Sequence, residues 1–228
     1  MFRNILLYTS LTFLFATLPA QESVIRNLNP FSNLEVSDRV IVRLVQDIKE
    51  SANIKVQGIN ASSVKTDVMG NTLTISVYGE PFTKKKVIVT LNYVKINTIT
   101  VNGGADVSTV SLFKADSLTV DLKSGGMLYL DADIGYLTGK VIEGAILNAE
   151  GYAIEQNIVV ATSGTLSAFN LESEIIKVKA SSGGKAKINV EKVLDAEAIS
   201  KGFVSYKGNP SKINRIVNSG GTISVYEP

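Results

Sequence analysis

The chain has 228 residues, 45% of them apolar and 19% charged, and it contains no His, Cys or Trp. This length allows one domain or two small ones with a buried core. Without His and Cys the chain cannot form a Ser-His-Asp triad, a Cys-His dyad, an ordinary zinc site or a disulfide framework. The net charge of +2 is too small to indicate nucleic-acid binding. We therefore expect no cofactor and no nucleic-acid partner.

Residues 1–20 differ from the rest of the chain. Arg3 is their only charged residue, an apolar stretch covers residues 5–18, and Pro19 and Ala20 follow. This order is typical of a secretory signal peptide. The alternative is a membrane anchor, but a bilayer span needs about 20 apolar residues. We predict cleavage near Ala20 and no stable membrane insertion afterwards. The protein is then exported to the periplasm, the outer-membrane surface or the medium.

Residues 21–96 are predicted to form a β-rich region that caps the segment after it. Short runs of β-branched residues, such as residues 73–77 and 87–91, are separated by Gly, Asn, Asp and Ser. Gly70 lies between two such runs and predicts a hairpin turn, because glycine readily adopts positive φ. Helical periodicity is absent, and these strands have no regular spacing.

From residue 97 a repeat of 18 to 21 residues appears, in which small apolar strands end in Ser-Gly or an equivalent pair. The predicted turn positions are Gly104, Gly125, Gly144, Gly164, Gly183, Lys201 and Gly220. Five residues before them lies a column predicted to face inward: Ile99, Val120, Gly139, Val159, Val178, Ala196 and Arg215. Because strand side chains alternate, positions two residues away share this face.

A period near 20 without helices predicts a β-solenoid of about seven coils over residues 97–228, continuous with residues 21–96. Like residues then stack on like residues between neighbouring parallel coils. We expect Val178 to be buried between Val159 and Ala196. The alternative architecture is a β-sandwich of antiparallel hairpins, whose strands also recur every 8–12 residues. We also expect the last coil to be an exposed edge available for homo-oligomer formation.

Several segments in their chain order resemble the putative auto-transporter adhesin family with a head GIN domain, from exported proteins of Bacteroidetes-type bacteria. They are residues 31–36 (FSNLEV), 40–44 (VIVRL), 54–58 (IKVQG), 70–75 (GNTLTI), 204–210 (VSYKGNP) and 218–223 (NSGGTI), together with the Ser-Gly coils. The resemblance covers nearly all of the chain after residue 20. It implies an all-β, right-handed parallel β-helix, and it brings no catalytic residues with it.

Three sets of residues are candidates for binding, and each also has a structural explanation. The lysine run 84–86 could contact anionic polysaccharide or lipid, but it also suits a solvated loop beside a strand. Glycine pairs such as Gly125-Gly126 lack the spacing of a phosphate loop and are predicted to be turn residues. Four tyrosines could stack on sugar rings or could be ordinary strand residues: Tyr129, Tyr136, Tyr152 and Tyr206.

One outward column contains a candidate cation site. Six residues after four successive turn positions lie Asp131, Glu150, Asn170 and Asn189. Oxygen ligands from Asp131 and Glu150, with Asp133 nearby, would suit calcium. A polar ladder without a metal ion is the favoured interpretation of this column, because stacked amides and carboxylates hydrogen-bond along β structures.

Two classes of function remain open. The favoured one is an exported, non-catalytic binding or structural module that presents a β-helix surface to a glycan or a cell-envelope protein. The alternative is a β-helix carbohydrate-active enzyme, either a polysaccharide lyase or a carboxylate-dependent glycosidase. Such a hydrolase needs paired carboxylates in a cleft, and the nearly constant coil length leaves no long loops to form one. We therefore predict no catalytic residues.

Overall fold

The structure, a computed structural model, describes residues 22–79 and 85–226. The predicted signal peptide and Lys84 lie outside these ranges. The described chain is all β, apart from one turn of 3₁₀ helix at Ala61–Ser63. Its strands are β1 (Glu22–Asn27), β2 (Asn33–Val36), β3 (Ile41–Gln46), β4 (Ser51–Gln57), β5 (Val64–Met69), β6 (Thr72–Val77), β7 (Lys86–Tyr93), β8 (Thr98–Val101), β9 (Asp106–Thr109), β10 (Phe113–Leu122), β11 (Met127–Val141), β12 (Ile146–Ala161), β13 (Thr165–Ser181), β14 (Lys185–Ile199), β15 (Phe203–Lys207), β16 (Lys212–Val217) and β17 (Thr222–Val225).

These strands form a β-solenoid of about seven coils, as the repeat predicts. Every strand pair within residues 98–225 is parallel. This pairing excludes the β-sandwich of antiparallel hairpins. We call the strands that follow each turn the first wall and the strands that precede it the second wall. The long strands β11 to β14 bend between the two walls, so one strand contributes to both.

The two walls are joined by two-residue turns in which both residues have positive φ. They are Asp38–Arg39, Gly103–Gly104, Ser124–Gly125, Glu143–Gly144, Thr162–Ser163, Ser182–Gly183, Ser200–Lys201 and Ser219–Gly220. The turns stack, because the second residue of each turn donates its N–H to the carbonyl of the first residue in the next coil. Gly125 bonds Glu143 at 3.0 Å in this way, for example, and Gly144 bonds Thr162 at 3.1 Å. The repeated Ser-Gly sequence therefore encodes a ladder of hydrogen-bonded turns.

The predicted turn position is wrong by one residue in a single coil. Ser163, rather than Gly164, is the second residue of its turn. Consequently Val178 is paired with Ile158 instead of Val159. Its other predicted neighbour, Ala196, and its burial are both confirmed. The same shift places Gln156 inside in place of Asn157, and Leu166 in place of Ser167.

Gly164 belongs to a second column of small residues, directly after each turn, where coils approach most closely. The column consists of Ala105, Gly126, Ala145, Gly164, Gly184, Gly202 and Gly221. A Cβ added at Gly184 would lie 2.3 Å from the Val160 carbonyl oxygen, and one at Gly164 would lie 2.1 Å from that of Val141. Close approach of neighbouring backbones, rather than positive φ, therefore requires glycine at these two positions.

The interior is a continuous apolar core built from the inward columns. Leu118, Leu137, Ile176 and Leu194 are each almost fully buried, and burial of such side chains contributes roughly 1.5–3 kcal/mol each as an upper estimate. Gln156 interrupts their column between Leu137 and Ile176. Its amide nitrogen donates to the equally buried Ser173 hydroxyl at 2.6 Å, so one polar pair lies inside an otherwise apolar stack.

The N-terminal region continues the same two walls. Strands β2 and β3 pair in parallel with β8 and β9, and they also pair in parallel with β6 and β7. Beyond these, β5 and β6 form the predicted hairpin, with φ of +59° at Gly70. Strand β4 pairs antiparallel with both β7 and β1. The chain therefore reverses direction at this end of the solenoid.

The last coil lies at the opposite end and is exposed. Every residue from 211 to 220 is exposed, including both faces of β16. Ile213 and Val217, which stack on buried residues of β14, are 42% and 49% exposed. Arg215 lies between them, and its guanidinium lies 5.0 Å from the centre of the Tyr206 ring. The expectation of an exposed C-terminal edge is confirmed for the described residues; oligomer formation through it stays a prediction.

Candidate functional site

A groove runs along the outer surface of the first wall, parallel to the solenoid axis. Its volume is about 330 Å³, within the range of ligand-binding clefts. Outward side chains of β11, β12, β13 and β14 line it because successive coils repeat the same outward positions. We call it the first-wall groove; it is lined by Thr109, Tyr129, Leu130, Asp131, Asn148, Ala149, Glu150, Ser167, Phe169, Asn170 and Lys187.

Phe169 is the central aromatic residue of this groove. It lies where β13 carries one residue more than β12, so that the register shifts between Asn148 and Glu150. Bulges of this kind redirect a side chain. The Phe169 ring contacts the Tyr226 ring, with centroids 4.7 Å apart. Tyr129 lies two coils away on the same wall and is 45% exposed, so two separate aromatic faces are available along the groove.

Charges in and beside the groove are arranged along the axis. Asp131 and Glu150 are paired in register on adjacent coils at the β11–β12 end. At the opposite end, the ammonium groups of Lys187 and Lys207 each lie 5.9 Å from the Phe169 ring centre. Within residues 22–79 and 85–226, neither lysine forms an ion pair. The groove therefore has an acidic end and a basic end, separated by amides and hydroxyls.

The candidate calcium residues are only partly brought together. Asp131 lies beside Glu150, but Asp133 is paired with Tyr152, and its carboxylate lies 3.8 Å from the Lys114 ammonium group. In the part of the chain that the structure describes, no three acidic residues cluster in a way that could hold a metal ion.

The predicted polar column is correct over three coils and wrong in the fourth. Asp131, Glu150 and Asn170 are paired in register as predicted. Asn189 is paired with Glu172 instead of Asn170. The extra residues of β13 at its bulge cause this difference, because they move every following position relative to β14.

A second groove, the bend groove, lies where the long strands turn from the first wall to the second. It is larger, about 870 Å³, and more apolar. Phe113 and Tyr93 stack beneath it with ring centroids 5.8 Å apart, and burial raises the pKa of Tyr93 to about 12. Tyr136 and Ile154 line its rim and are 54% and 43% exposed.

A polar chain crosses three coils beside the bend groove. Glu174 accepts hydrogen bonds from the Tyr152 hydroxyl at 3.0 Å and from the Lys192 ammonium group at 2.7 Å. Its bond with Lys192, and then that with Tyr152, lowers the pKa of Glu174. The same contacts raise the pKa of Lys192 and that of Tyr152. All three pKa values move away from neutrality, which suits an ion-paired structural ladder.

The structure places the four candidate tyrosines in three different surroundings. Tyr129 lines the first-wall groove, Tyr136 and Tyr152 line the bend groove, and Tyr206 is buried. The Tyr152 hydroxyl also bonds Glu174. Phe169 was not among the candidates. Its position in the sequence, directly before Asn170 in β13, indicates a groove residue only when the bulge in β13 is known. The prediction of turn residues is confirmed for Gly103, Gly104, Gly125 and Gly183, whereas Gly126 and Gly184 lie directly after a turn, where neighbouring coils approach closely.

These features define a β-solenoid protein with elongated surface grooves. Among the described residues, no helix is long and apolar enough to cross a membrane. The chain belongs to the family described as "putative auto-transporter adhesin, head GIN domain", whose model matches residues 30–210. This family is one of exported or cell-surface proteins, in agreement with the predicted export.

Solved structures share this fold at low sequence identity. A putative adhesin from Bacteroides fragilis is 19% identical with a TM-score of 0.81, and the match covers 91% of this chain and 97% of that one. For a putative adhesin from Parabacteroides merdae, the identity is 20%, the TM-score 0.72 and the coverage 91% and 96%. A putative lipid binding protein from Parabacteroides distasonis is 14% identical, with a TM-score of 0.70 and coverage of 91% and 97%. No curated protein matches the chain.

Proposed function

We propose that the protein is an exported, non-catalytic module that binds a glycan in the first-wall groove. The observation that carries this proposal is the presence of an exposed tyrosine ring and a half-buried phenylalanine ring beside amides and carboxylates on one wall. Sugars offer apolar ring faces that stack on aromatic side chains, and hydroxyl groups that bond amides and carboxylates. Tyr129 and Phe169 supply the rings, while Asn148, Asn170 and Glu150 supply the polar groups.

The stacked coils favour recognition of an extended ligand. Equivalent side chains on neighbouring coils are separated by about 4.8 Å along the axis, and the turn ladder holds these spacings fixed. A rigid surface loses little conformational entropy when a ligand binds. A linear oligosaccharide laid along the axis would therefore contact several coils at once.

The directions of the pKa shifts beside the bend groove agree with a non-catalytic role. Catalytic acids and bases are usually tuned toward the working pH. The shifted values of Glu174, Lys192 and Tyr152 all move away from neutral pH instead. Asp106, whose pKa burial raises, does not line the first-wall groove. The paired Asp131 and Glu150 are the one feature that favours the alternative, a glycoside hydrolase, because retaining enzymes use carboxylates about 5–5.5 Å apart.

The test is binding of the protein without residues 1–20 to an array of defined oligosaccharides, followed by titration calorimetry with those that bind. Tyr129→Ala is the main variant, because it removes a groove ring without touching the core. We expect it to weaken binding at least tenfold. Tyr136→Ala is the matched control, since it removes a similarly exposed tyrosine from the bend groove, and we expect unchanged affinity.

Three results would contradict the proposal. The first is an absence of binding to every glycan on the array. The second is loss of binding in Tyr136→Ala but not in Tyr129→Ala, which would move the glycan site to the bend groove. The third is cleavage of bound oligosaccharides that is abolished by Glu150→Gln, which would establish the enzyme instead.

A further inference from the structure

Three features at the basic end of the first-wall groove point to the chemical class of its ligand. The Phe169 ring is half-buried and held against Tyr226. The ammonium groups of Lys187 and Lys207 lie over this ring, each 5.9 Å from its centre. Neither forms an ion pair within the described chain. An aromatic ring with two ammonium groups beside it is suited to a ligand that carries a negative charge on an apolar ring.

The opposite end of the groove excludes the same charge. Asp131 and Glu150 are paired on adjacent coils, so an anionic group placed beside them would be repelled. The nearest charges of the two ends, Glu150 on β12 and Lys187 on β14, are two coil spacings or about 10 Å apart, and the farthest, Asp131 and Lys207, are four spacings or about 19 Å apart. The two charged ends are therefore far enough apart to contact different sugar units of one chain.

Resting on the function proposed above, we propose that the groove binds a glycan that ends in an acidic sugar and continues with neutral sugars. The acidic ring stacks on Phe169, and its anionic group lies between Lys187 and Lys207. The neutral units extend over Ser167 and Asn148 toward Asp131. A lysine ammonium group is a point charge that accepts carboxylate, sulfate or phosphate, so the shared requirement is one terminal anion.

The acidic end supplies the discrimination against other acidic glycans. A polymer with a charge on every unit would place anions beside both lysines, but also beside Asp131 and Glu150. Specific sites commonly reject unwanted ligands through such like-charge contacts. The groove thus favours a glycan with one charged terminal sugar over a glycan that is charged on every unit.

The experiment compares three sets of oligosaccharides of matched length on the protein without residues 1–20: neutral chains, the same chains ending in a sialic, uronic or sulfated sugar, and polyuronates. We expect the terminally acidic set to bind at least tenfold more tightly than the other two. The double variant Lys187→Gln/Lys207→Gln is expected to abolish this preference. Its matched control, Lys185→Gln/Lys201→Gln, removes two exposed lysines from the same coils and leaves the preference intact.

A second variant tests the acidic end. Asp131→Asn/Glu150→Gln is expected to raise polyuronate binding at least tenfold relative to binding of the terminally acidic set, because it removes the two carboxylates that repel a charged unit. Rising salt should weaken binding of the acidic set, because salt screens exposed charges. Preferential binding of neutral chains, or an unchanged preference in Lys187→Gln/Lys207→Gln, would overturn this inference and leave the glycan-binding function standing. An array without any bound glycan would overturn both.

Discussion

The two ends of the solenoid differ in whether their sheet edges are covered. At the N-terminal end the strands reverse, and the Arg26 guanidinium of β1 bonds the Ala61 carbonyl, the Val64 carbonyl and the Thr66 hydroxyl at 2.6–2.8 Å. The edges of both walls are thereby tied together. At the C-terminal end β16 and β17 continue the parallel stack; every residue of β16 is exposed, and two of the four residues of β17 are exposed and two are partly buried.

This contrast indicates where the stability of the molecule resides. Coils in the middle have a neighbour on each side and bury their inward columns completely. The last coil has one neighbour, so its inward residues keep much of their exposure. Local free energy of unfolding should therefore be highest in the middle coils and lowest in the last one.

The largest expected effect comes from placing a charge in the middle of the stack. Val178→Asp buries a carboxylate between Ile158 and Ala196 and should lower the free energy of unfolding by about 4 kcal/mol or more. Val217→Asp makes the same change in the last coil, where the site is half-exposed, and should cost less than about 1 kcal/mol. Urea denaturation measures both. Equal losses would contradict the predicted difference between middle and end coils.

The next prediction compares the stability cost of close contact between coils with that of an unfavourable turn conformation. In Gly184→Ala the new Cβ would lie 2.3 Å from a backbone oxygen, and we expect a loss of about 3 kcal/mol. Gly183→Ala, its neighbour at φ of +75°, meets only the Ser163 hydroxyl at 3.7 Å and should cost about 1 kcal/mol. Thermal melts of the two variants provide the comparison. A larger loss in Gly183→Ala would show that conformation, rather than contact, limits the turn.

Removing the arginine that ties the N-terminal edges should have an intermediate effect. Arg26→Gln loses charge-assisted hydrogen bonds to two partly buried carbonyls and should cost about 2 kcal/mol. The control is Arg43→Gln on the exposed face of β3, with an expected cost below about 0.5 kcal/mol. Chemical denaturation is again the measurement. If the two variants are equally stable, the hydrogen bonds of Arg26 do not stabilise the N-terminal end.

The smallest effect concerns pH. Because the folded-state pKa of Glu174 is lowered by its bonds with Lys192 and Tyr152, its carboxylate contributes stability that is present at neutral pH, above its unfolded pKa. That contribution is lost as the pH falls through the folded pKa. Glu174→Gln should therefore flatten the dependence of melting temperature on pH below about pH 4.5. Glu191→Gln, which removes one exposed carboxylate from the neighbouring coil, is the control. A wild-type slope in Glu174→Gln would contradict the assignment.

The sequence predicts the regular part of the fold well, because each coil repeats the same physical requirements. Turn residues, inward columns and parallel stacking all follow from one period. The prediction fails where that period is broken. Gly164 occupies the close-contact column rather than the turn, and a glycine suits either position. Asp38 and Arg39 form an eighth turn of the same kind, but this pair does not match the Ser-Gly pattern by which the other turns are predicted.

The functional groove is less predictable for the same reason. The repeat predicts the column of Asp131, Glu150 and Asn170, and Tyr129 is a candidate only as one of four tyrosines that could stack on sugar rings. Phe169 was missed because it lies in the bulge of β13, where residue count and spatial position no longer correspond. The pairing of Lys187 and Lys207 around its ring depends on that bulge as well. Neither relation is visible from spacing along the chain alone.

Hydrogen exchange with and without a bound glycan tests the role of the first-wall groove most directly. The protein without residues 1–20 is labelled in both states, and protection is compared among peptides from the two grooves and the last coil. We predict added protection in residues 127–131, 146–150, 165–170 and 185–189, which supply the first-wall groove, and none in residues 113–117 or 212–217. Protection confined to the bend groove or to the last coil would contradict the proposed binding surface.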